Sequence, residues 1–183
     1  MTKSRKKKVA VGFVALGCPK NVVDSEKMLA EIVEAGFLIA ADPSQADVVV
    51  VNTCGFIEPA KVESLDAIAQ AVADKRNGRV QKVIVAGCLA QRLGAQLLDE
   101  AEGVDAVVGL GQRDSIVQII RRTLAACEPG VYSDRTFPVP TDDRVRLRIG
   151  PAHSAYLRIS EGCDHRCSFC TIPAIRGPFR SKP

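Results

Sequence analysis

Three cysteines fall within eight residues near the C-terminus, in the run Cys163-Asp-His-Arg-Cys167-Ser-Phe-Cys170. A closed tetrahedral zinc site takes four ligands, whereas three thiolates on an iron–sulfur cluster leave one iron open for chemistry. The C-x3-C-x2-C spacing, with an aromatic residue before the last cysteine, therefore points to an open-site cluster, with a zinc knuckle as the alternative.

A second trio is dispersed. Cys18, Cys54 and Cys88 occur in Leu16-Gly-Cys-Pro-Lys-Asn21, Asn52-Thr-Cys-Gly-Phe-Ile57 and Ala86-Gly-Cys-Leu89, each beside a glycine and each just past an apolar run. If those runs are parallel strands of one sheet, the loops at their carboxyl ends converge on one rim, where ligands bind in open α/β sheets. Three cysteines 36 and 34 residues apart could then meet at one point. The competing reading is that cysteines are common buried residues and these three fall at strand ends by accident. Cys127, after two alanines at a helix end, reads as a small apolar residue.

The elements that must position these residues are legible. Val9–Leu16, Ala46–Val51, Lys82–Val85 and Val104–Val108 are short, apolar and rich in β-branched residues, as suits parallel strands buried on both faces. Helical stripes lie between them: Met28, Leu29, Ile32 and Val33 before Gly36; Val62, Leu65, Ala69 and Val72 after Pro59; Leu89, Leu93 and Leu97; and Ile116, Ile120 and Leu124 after Asp114. This order predicts an α/β fold: an open, mainly parallel sheet with flanking helices. Pro129, Pro138, Pro140 and Pro151 mark residues 128–151 as a linker or loosely paired hairpin. Ala155–Ile159 then reads as one strand feeding the second cysteine loop. The expected organisation is a basic leader at 1–8, an α/β domain at 9–127, the linker at 128–151, and at 152–183 the start of a further domain too short to be complete.

With 46% hydrophobic residues in 183, the chain has ample material for a core, but its apolar runs are far below the ~20 residues of a membrane span. The net charge of +4 comes from the leader: residues 1–8 hold five of 25 basic groups, leaving 20 against 21 acids. That leader is either a solvated tail or an arm that contacts RNA or the ribosome. No signal-type apolar stretch follows it, so the expected compartment is the cytoplasm. Seven cysteines in such a chain favour ligation or redox chemistry over a disulfide framework.

Taken together, the two trios resemble the methylthiotransferase branch of the radical S-adenosylmethionine (SAM) enzymes. The resemblance runs from residue 9 onward. It rests on Ala15-Leu-Gly-Cys-Pro-Lys-Asn-Val-Val-Asp-Ser-Glu26, on Asn52-Thr-Cys-Gly-Phe-Ile57 with Ala60-Lys61 and Glu63-Ser64, and on Ser160-Glu-Gly-Cys-Asp-His-Arg-Cys-Ser-Phe-Cys170. The Pro-Lys-Asn after Cys18 and the Asp164-His165 pair fit the ribosomal-protein-modifying members better than the tRNA-modifying ones. The resemblance implies two [4Fe–4S] clusters. Cys163, Cys167 and Cys170 would hold one, whose open iron binds and reductively cleaves SAM. Cys18, Cys54 and Cys88 would hold the other, which carries the sulfur. The implied reaction inserts a methylthio group at the β-carbon of an aspartate in a small-subunit ribosomal protein, with electrons from an external donor. Abstracting hydrogen from so unreactive a carbon needs a cofactor, so no side chain beyond the cluster ligands is expected to be catalytic.

The resemblance also sets Phe169 against the SAM adenine, the alternative being packing beneath the cluster loop. His165, between two ligands, reads as a loop residue or a partner of a ligand, and His153 as solvated. Asn21 and Asn52 are read as turn-forming or capping residues. Arg176-Gly177 and Arg180-Ser-Lys-Pro183 resemble the family's segment after the loop, but Lys182 departs from its Ser-Arg pair. Because the second domain is expected to be a truncated radical SAM barrel, the chain alone is expected to be inactive. The alternatives are a tRNA methylthiotransferase, or a metal-binding or docking fragment.

Overall fold

The computed structural model describes residues 8–133 and 145–182. Most of the basic leader, and Pro138 and Pro140 of the expected linker, lie outside them. Six strands, β1 (Ala10–Ala15), β2 (Leu38–Ile39), β3 (Val48–Thr53), β4 (Lys82–Gly87), β5 (Ala106–Val108) and β6 (Gly130–Tyr132), form one sheet in the order β2-β1-β3-β4-β5-β6. Every pairing in it is parallel. The four strands expected from apolar runs are all present. β2 and β6 are edge strands of two and three residues, too short to announce themselves as hydrophobic runs. β6 lies in the proline-marked stretch and pairs with β5 through Val107 and Val131.

The helices are α1 (Pro19–Glu34), α2 (Glu58–Arg76), α3 (Cys88–Leu93), α4 (Gln96–Glu100) and α5 (Ile116–Ala125). Alternate strand residues face opposite sides of a sheet. Val48, Val50, Ile84, Ala86 and Val108 pack with Met28 and Ile32 of α1 and Ile116, Ile119 and Ile120 of α5. Val49, Val51, Val83, Val85 and Val107 pack on the other face with Ile68 and Val72 of α2, Leu89 of α3 and Leu97 of α4. Among the described residues no helix is long and apolar enough to cross a membrane.

Three helical expectations shift. Val33 and Val62 are exposed, as is Ala69; of the expected α2 stripe Val72 is buried and Leu65 packs against the core, and the helix also buries Ser64, Ile68 and Ala71. Its rotation is set by a polar contact, because the Ser64 hydroxyl bonds the backbone of Cys54. The single helix expected over Leu89–Leu97 breaks at Gly94 into α3 and α4. α1 does end at Gly36 as expected: Gly36 N–H donates to the Val33 carbonyl and Phe37 N–H to that of Ile32, the paired bonds of a Schellman cap.

Burial, reinforced by the nearby Asp114 and Glu34 charges, pushes the Glu31 carboxyl up from its ordinary 4.5 to about 7. An acid that holds its proton more tightly in the folded state makes the fold less stable as pH rises from 4.5 through 7. Glu31→Gln is therefore expected to be more stable than the parent at pH 8 and equal to it at pH 4. Urea midpoints at the two pH values check this, and a parent–variant difference independent of pH would refute it.

The C-terminal part is held against α1. Leu147 N–H donates to the Glu26 carbonyl at 2.9 Å, and Arg146 meets the Glu26 carboxylate at 3.5 Å. The strand expected at Ala155–Ile159 does not form. A strand needs a ladder, and the chain's end offers this stretch a single-ended contact, Lys182 N–H donating to the Ile159 carbonyl at 3.0 Å. Leu157 is 81% and Ile159 69% exposed. The ladder is instead the short antiparallel pair β7 (Ser160–Glu161) and β8 (Arg180–Ser181), enclosing the cysteine loop and α6 (Ile172–Arg176).

Candidate metal centre at the carboxyl rim

β1 leads through α1 to β2 in one direction along the sheet, and β3 leads through α2 to β4 in the other. The strand order reverses between β1 and β3, and that switch point is where open α/β sheets leave a crevice. Cys18 and Cys54 follow the two strands that flank it, and Cys88 follows the next strand, β4. Cys18 is the N-cap of α1 and is exposed, whereas Cys54 and Cys88 are buried.

Buried asparagines bind these loops together. Asn21 Nδ2 donates to the carbonyls of Leu16 at 2.6 Å, Thr53 at 3.2 Å and Asn52 at 3.3 Å. Asn52 Nδ2 returns to the Asn21 carbonyl at 3.2 Å and to Ser25 Oγ at 2.8 Å. Thr53 Oγ1 donates to the Ala86 carbonyl at 2.6 Å, extending the lattice toward Cys88. Asn21 and Asn52 are thus tertiary ties between cysteine loops, a larger role than the local turns expected of them. The Cys18 loop also lies directly against Cys54: a Cβ at Gly17 would stand 2.6 Å from the Cys54 Cβ.

The second trio lies on the loop after β7. Cys163 N–H donates to the Gly177 carbonyl and Cys170 N–H to that of Cys167, both at 3.1 Å. Asp164 Oδ1 accepts from Phe179 N–H at 2.8 Å. Cys167 is exposed, Cys163 and Cys170 are half-buried, and His165 and His153 are exposed. Phe169 is 85% exposed, so the alternative of packing beneath the loop does not hold. Cys127 is exposed as well, not packed as a small apolar residue.

What joins the two trios is a buried ionic cluster that the sequence reading missed. Arg176, ending α6, donates through Nη1 to Glu161 at 3.0 Å and through Nη2 to Asp24 at 3.1 Å. Arg113 reaches Asp24 at 3.0 Å, and Arg158 bonds both Asp24 and Glu161. Lys20, half in solvent, adds a 3.4 Å contact to Glu161 and donates to the Ser160 carbonyl at 2.8 Å. Three guanidiniums thus surround two buried carboxylates. Burial alone would raise the pKa of Asp24, but Arg113, Arg176 and Arg158 together hold it below its ordinary value. Glu161 shows the same balance, with Arg176 the strongest of its cations. A signal for Asp24 did exist: Asn21, Asp24 and Ser25 continue the buried stripe of Met28 and Ile32 toward the start of α1.

Arg176 also touches the first trio, with Nη2 3.4 Å from Cys88 Sγ. Beside it, Ile175 packs on Cys88 and Leu110. Burial pushes the Cys88 thiol up to about 11, and Arg176 offsets part of that rise.

Among the described residues no three histidine, cysteine, aspartate or glutamate side chains stand close enough to hold a single metal ion. A four-iron cluster spreads its thiolates over its separate irons, and an all-cysteine donor set is the one such clusters take. The rim thiols at the switch point, with an arginine N–H on one sulfur, fit that kind of group. So do the three thiols of the second loop by donor type.

The profile of the family described as "Uncharacterized protein family UPF0004" matches residues 10–109, more than half of the chain. The chain belongs to that family. The UPF0004 match includes Cys18, Cys54 and Cys88. Beyond it, the chain is 46% identical over 180 residues to a ribosomal protein uS12 methylthiotransferase RimO of Pelotomaculum thermopropionicum, covering 95% of this chain and 39% of that one. It is 47% identical over 175 residues to the RimO of Solibacter usitatus, covering 94% and 36%, and 41% identical over 174 residues to that of Desulforamulus reducens, covering 95% and 39%. The chain thus spans less than two fifths of the length of these relatives.

Proposed function

We propose that this chain carries the sulfur-handling domain and the SAM-cluster loop of a methylthiotransferase acting on an aspartate β-carbon of ribosomal protein uS12. The supporting observation is the position of Cys18, Cys54 and Cys88 just past the carboxyl ends of β1, β3 and β4 of the UPF0004 sheet, with Arg176 bonding Cys88 from the segment that bears Cys163, Cys167 and Cys170. In this reading each trio holds one [4Fe–4S] cluster. When bound, the clusters supply the electron that cleaves SAM and the site from which sulfur is delivered. The chain's own residues present thiols, fix their loops through Asn21, Asn52 and Ser64, and leave Phe169 free to stack on the SAM adenine. An electron donor outside the chain and a cytoplasmic location complete the reading.

Anaerobic reconstitution with iron and sulfide is expected to load about eight irons per chain, four for each cluster. Replacing Cys18, Cys54 and Cys88 together with alanine should lower that to about four. Retention of the full iron content by the triple variant would sink the assignment of the first trio. The substrate is tested in a strain lacking the gene, by mass spectrometry of uS12 and of tRNA nucleosides. Loss of a methylthio group from uS12 supports the proposal, and loss from tRNA alone overturns it.

A further inference from the structure

Arg176 bonds both the ionic cluster and a cysteine of the first trio. Its position is over-determined. Nη1 is fixed by Glu161 and Nη2 by Asp24, α6 ends at this residue, and the side chain is buried. Asp24 and Glu161 are themselves held by Arg113 and Arg158, so the guanidinium has no room to turn away from Cys88.

We propose that Arg176 is a positioning residue for the first cysteine trio: its guanidinium, gripped by Asp24 and Glu161, donates to the Cys88 sulfur and raises the reduction potential of the cluster held there. The inference rests on the cluster assignment proposed above. One-electron reduction adds a negative charge to an iron–sulfur cluster. A cationic N–H donor on a ligand sulfur stabilises that added charge, and hydrogen bonds to the sulfurs are among the factors that set such potentials. Arg176 follows Cys170 by six residues in sequence. The segment that carries the second trio therefore tunes the electronics of the first, and the potential of the first depends on the second being seated.

The test uses the whole chain with Cys163, Cys167 and Cys170 replaced by alanine, so that one cluster remains. In this background Arg176→Lys keeps a cation between Asp24 and Glu161 but lacks the planar fork that also reaches the sulfur. Redox titration followed by EPR is expected to show the oxidised-to-reduced ratio at fixed potential rising about tenfold, equivalent to about 59 mV for a one-electron couple. Arg113→Lys, which perturbs the same carboxylates without bonding Cys88, should leave the potential unchanged. Equal potentials in Arg176→Lys and the parent would overturn the proposal, as would an equal shift in Arg113→Lys. A second measurement needs no substitution at Arg176. With arginine labelled by ¹⁵N, pulsed EPR of the reduced cluster should detect a guanidinium nitrogen coupled to it, and absence of that coupling also overturns the proposal. Failure of the underlying assignment looks different: the single-cluster background would bind no iron, before any arginine is changed.

Discussion

Asp24→Asn is expected to destabilise the protein by about 3–5 kcal/mol and to release the segment that carries the second cysteine loop from the sheet. The magnitude follows from burial. Asp24 accepts from three guanidiniums, and all four side chains are buried. Removing one partner from a buried ionic cluster leaves charges that neither water nor protein compensates, which costs about that much. Asparagine has the right shape but also turns an N–H toward groups that can only donate. The damage should be local first. Residues 158–182 own only a two-residue ladder and the five-residue α6, whereas the central strands are buried on both faces. Hydrogen exchange is therefore expected to accelerate at Ile175 and Gly177 while Val83–Val85 stay protected. The parent has a matching acid limit. Asp24 and Glu161 have folded-state pKa values below their ordinary ones, so their contribution is complete above the ordinary carboxylate range and is lost as pH falls through the lowered values. In Asp24→Asn the segment should already be loose at pH 7. An unchanged urea midpoint together with unchanged exchange at Ile175 would refute the prediction.

The way this cluster escaped notice shows what a sequence reveals and what it withholds. The strands at β1, β3, β4 and β5 were legible because a parallel strand covered on both faces has no alternative to being apolar, and its Val-rich runs say so. The placement of Cys18, Cys54 and Cys88 just past the carboxyl ends of β1, β3 and β4 was legible for a related reason, since parallel topology sends all carboxyl ends to one rim. Contacts that depend on how a side chain completes a distant charge were not. Arg113, Arg158 and Arg176 lie up to 152 residues from Asp24, and nothing in their local sequence reveals a buried carboxylate partner. On α2 the inward turn of Leu65 and Val72 was legible, but the exposure of Val62 and Ala69 was not, because Ser64 faces Cys54 and hydrophobic spacing is blind to such a polar contact. At Ala155–Ile159 the composition suited a strand, but a strand is a property of pairs, and among the described residues no ladder forms on this stretch.

A single methyl group is expected to have a large effect at Gly87. This residue has φ 95° and ψ −155°, a region that essentially only glycine occupies. That backbone alone costs another residue about 1–3 kcal/mol. Space is a second obstacle. A Cβ there would overlap Asn52 Oδ1, lie 2.5 Å from the Thr53 carbonyl oxygen and 2.9 Å from its nitrogen. Two of these three atoms are backbone of the adjoining strand β3, and Asn52 is locked by Asn21 and Ser25, so none can swing aside. Gly36 separates the two contributions. Its φ is also positive, at 87°, but nothing lies within 4 Å of where its Cβ would be. Gly36→Ala should therefore show backbone strain alone, and Gly87→Ala its own backbone strain plus the displacement of β3 at Cys54. In thermal or urea unfolding Gly87→Ala should be clearly the less stable of the two. It should also lose iron at the first trio, because the shift occurs between Cys54 and Cys88, while iron on the second loop is retained. Equal destabilisation by the two substitutions would mean that the rim tolerates movement. The close contact of Gly87 with Asn52 and Thr53 would then not be what holds the cysteine loops in place.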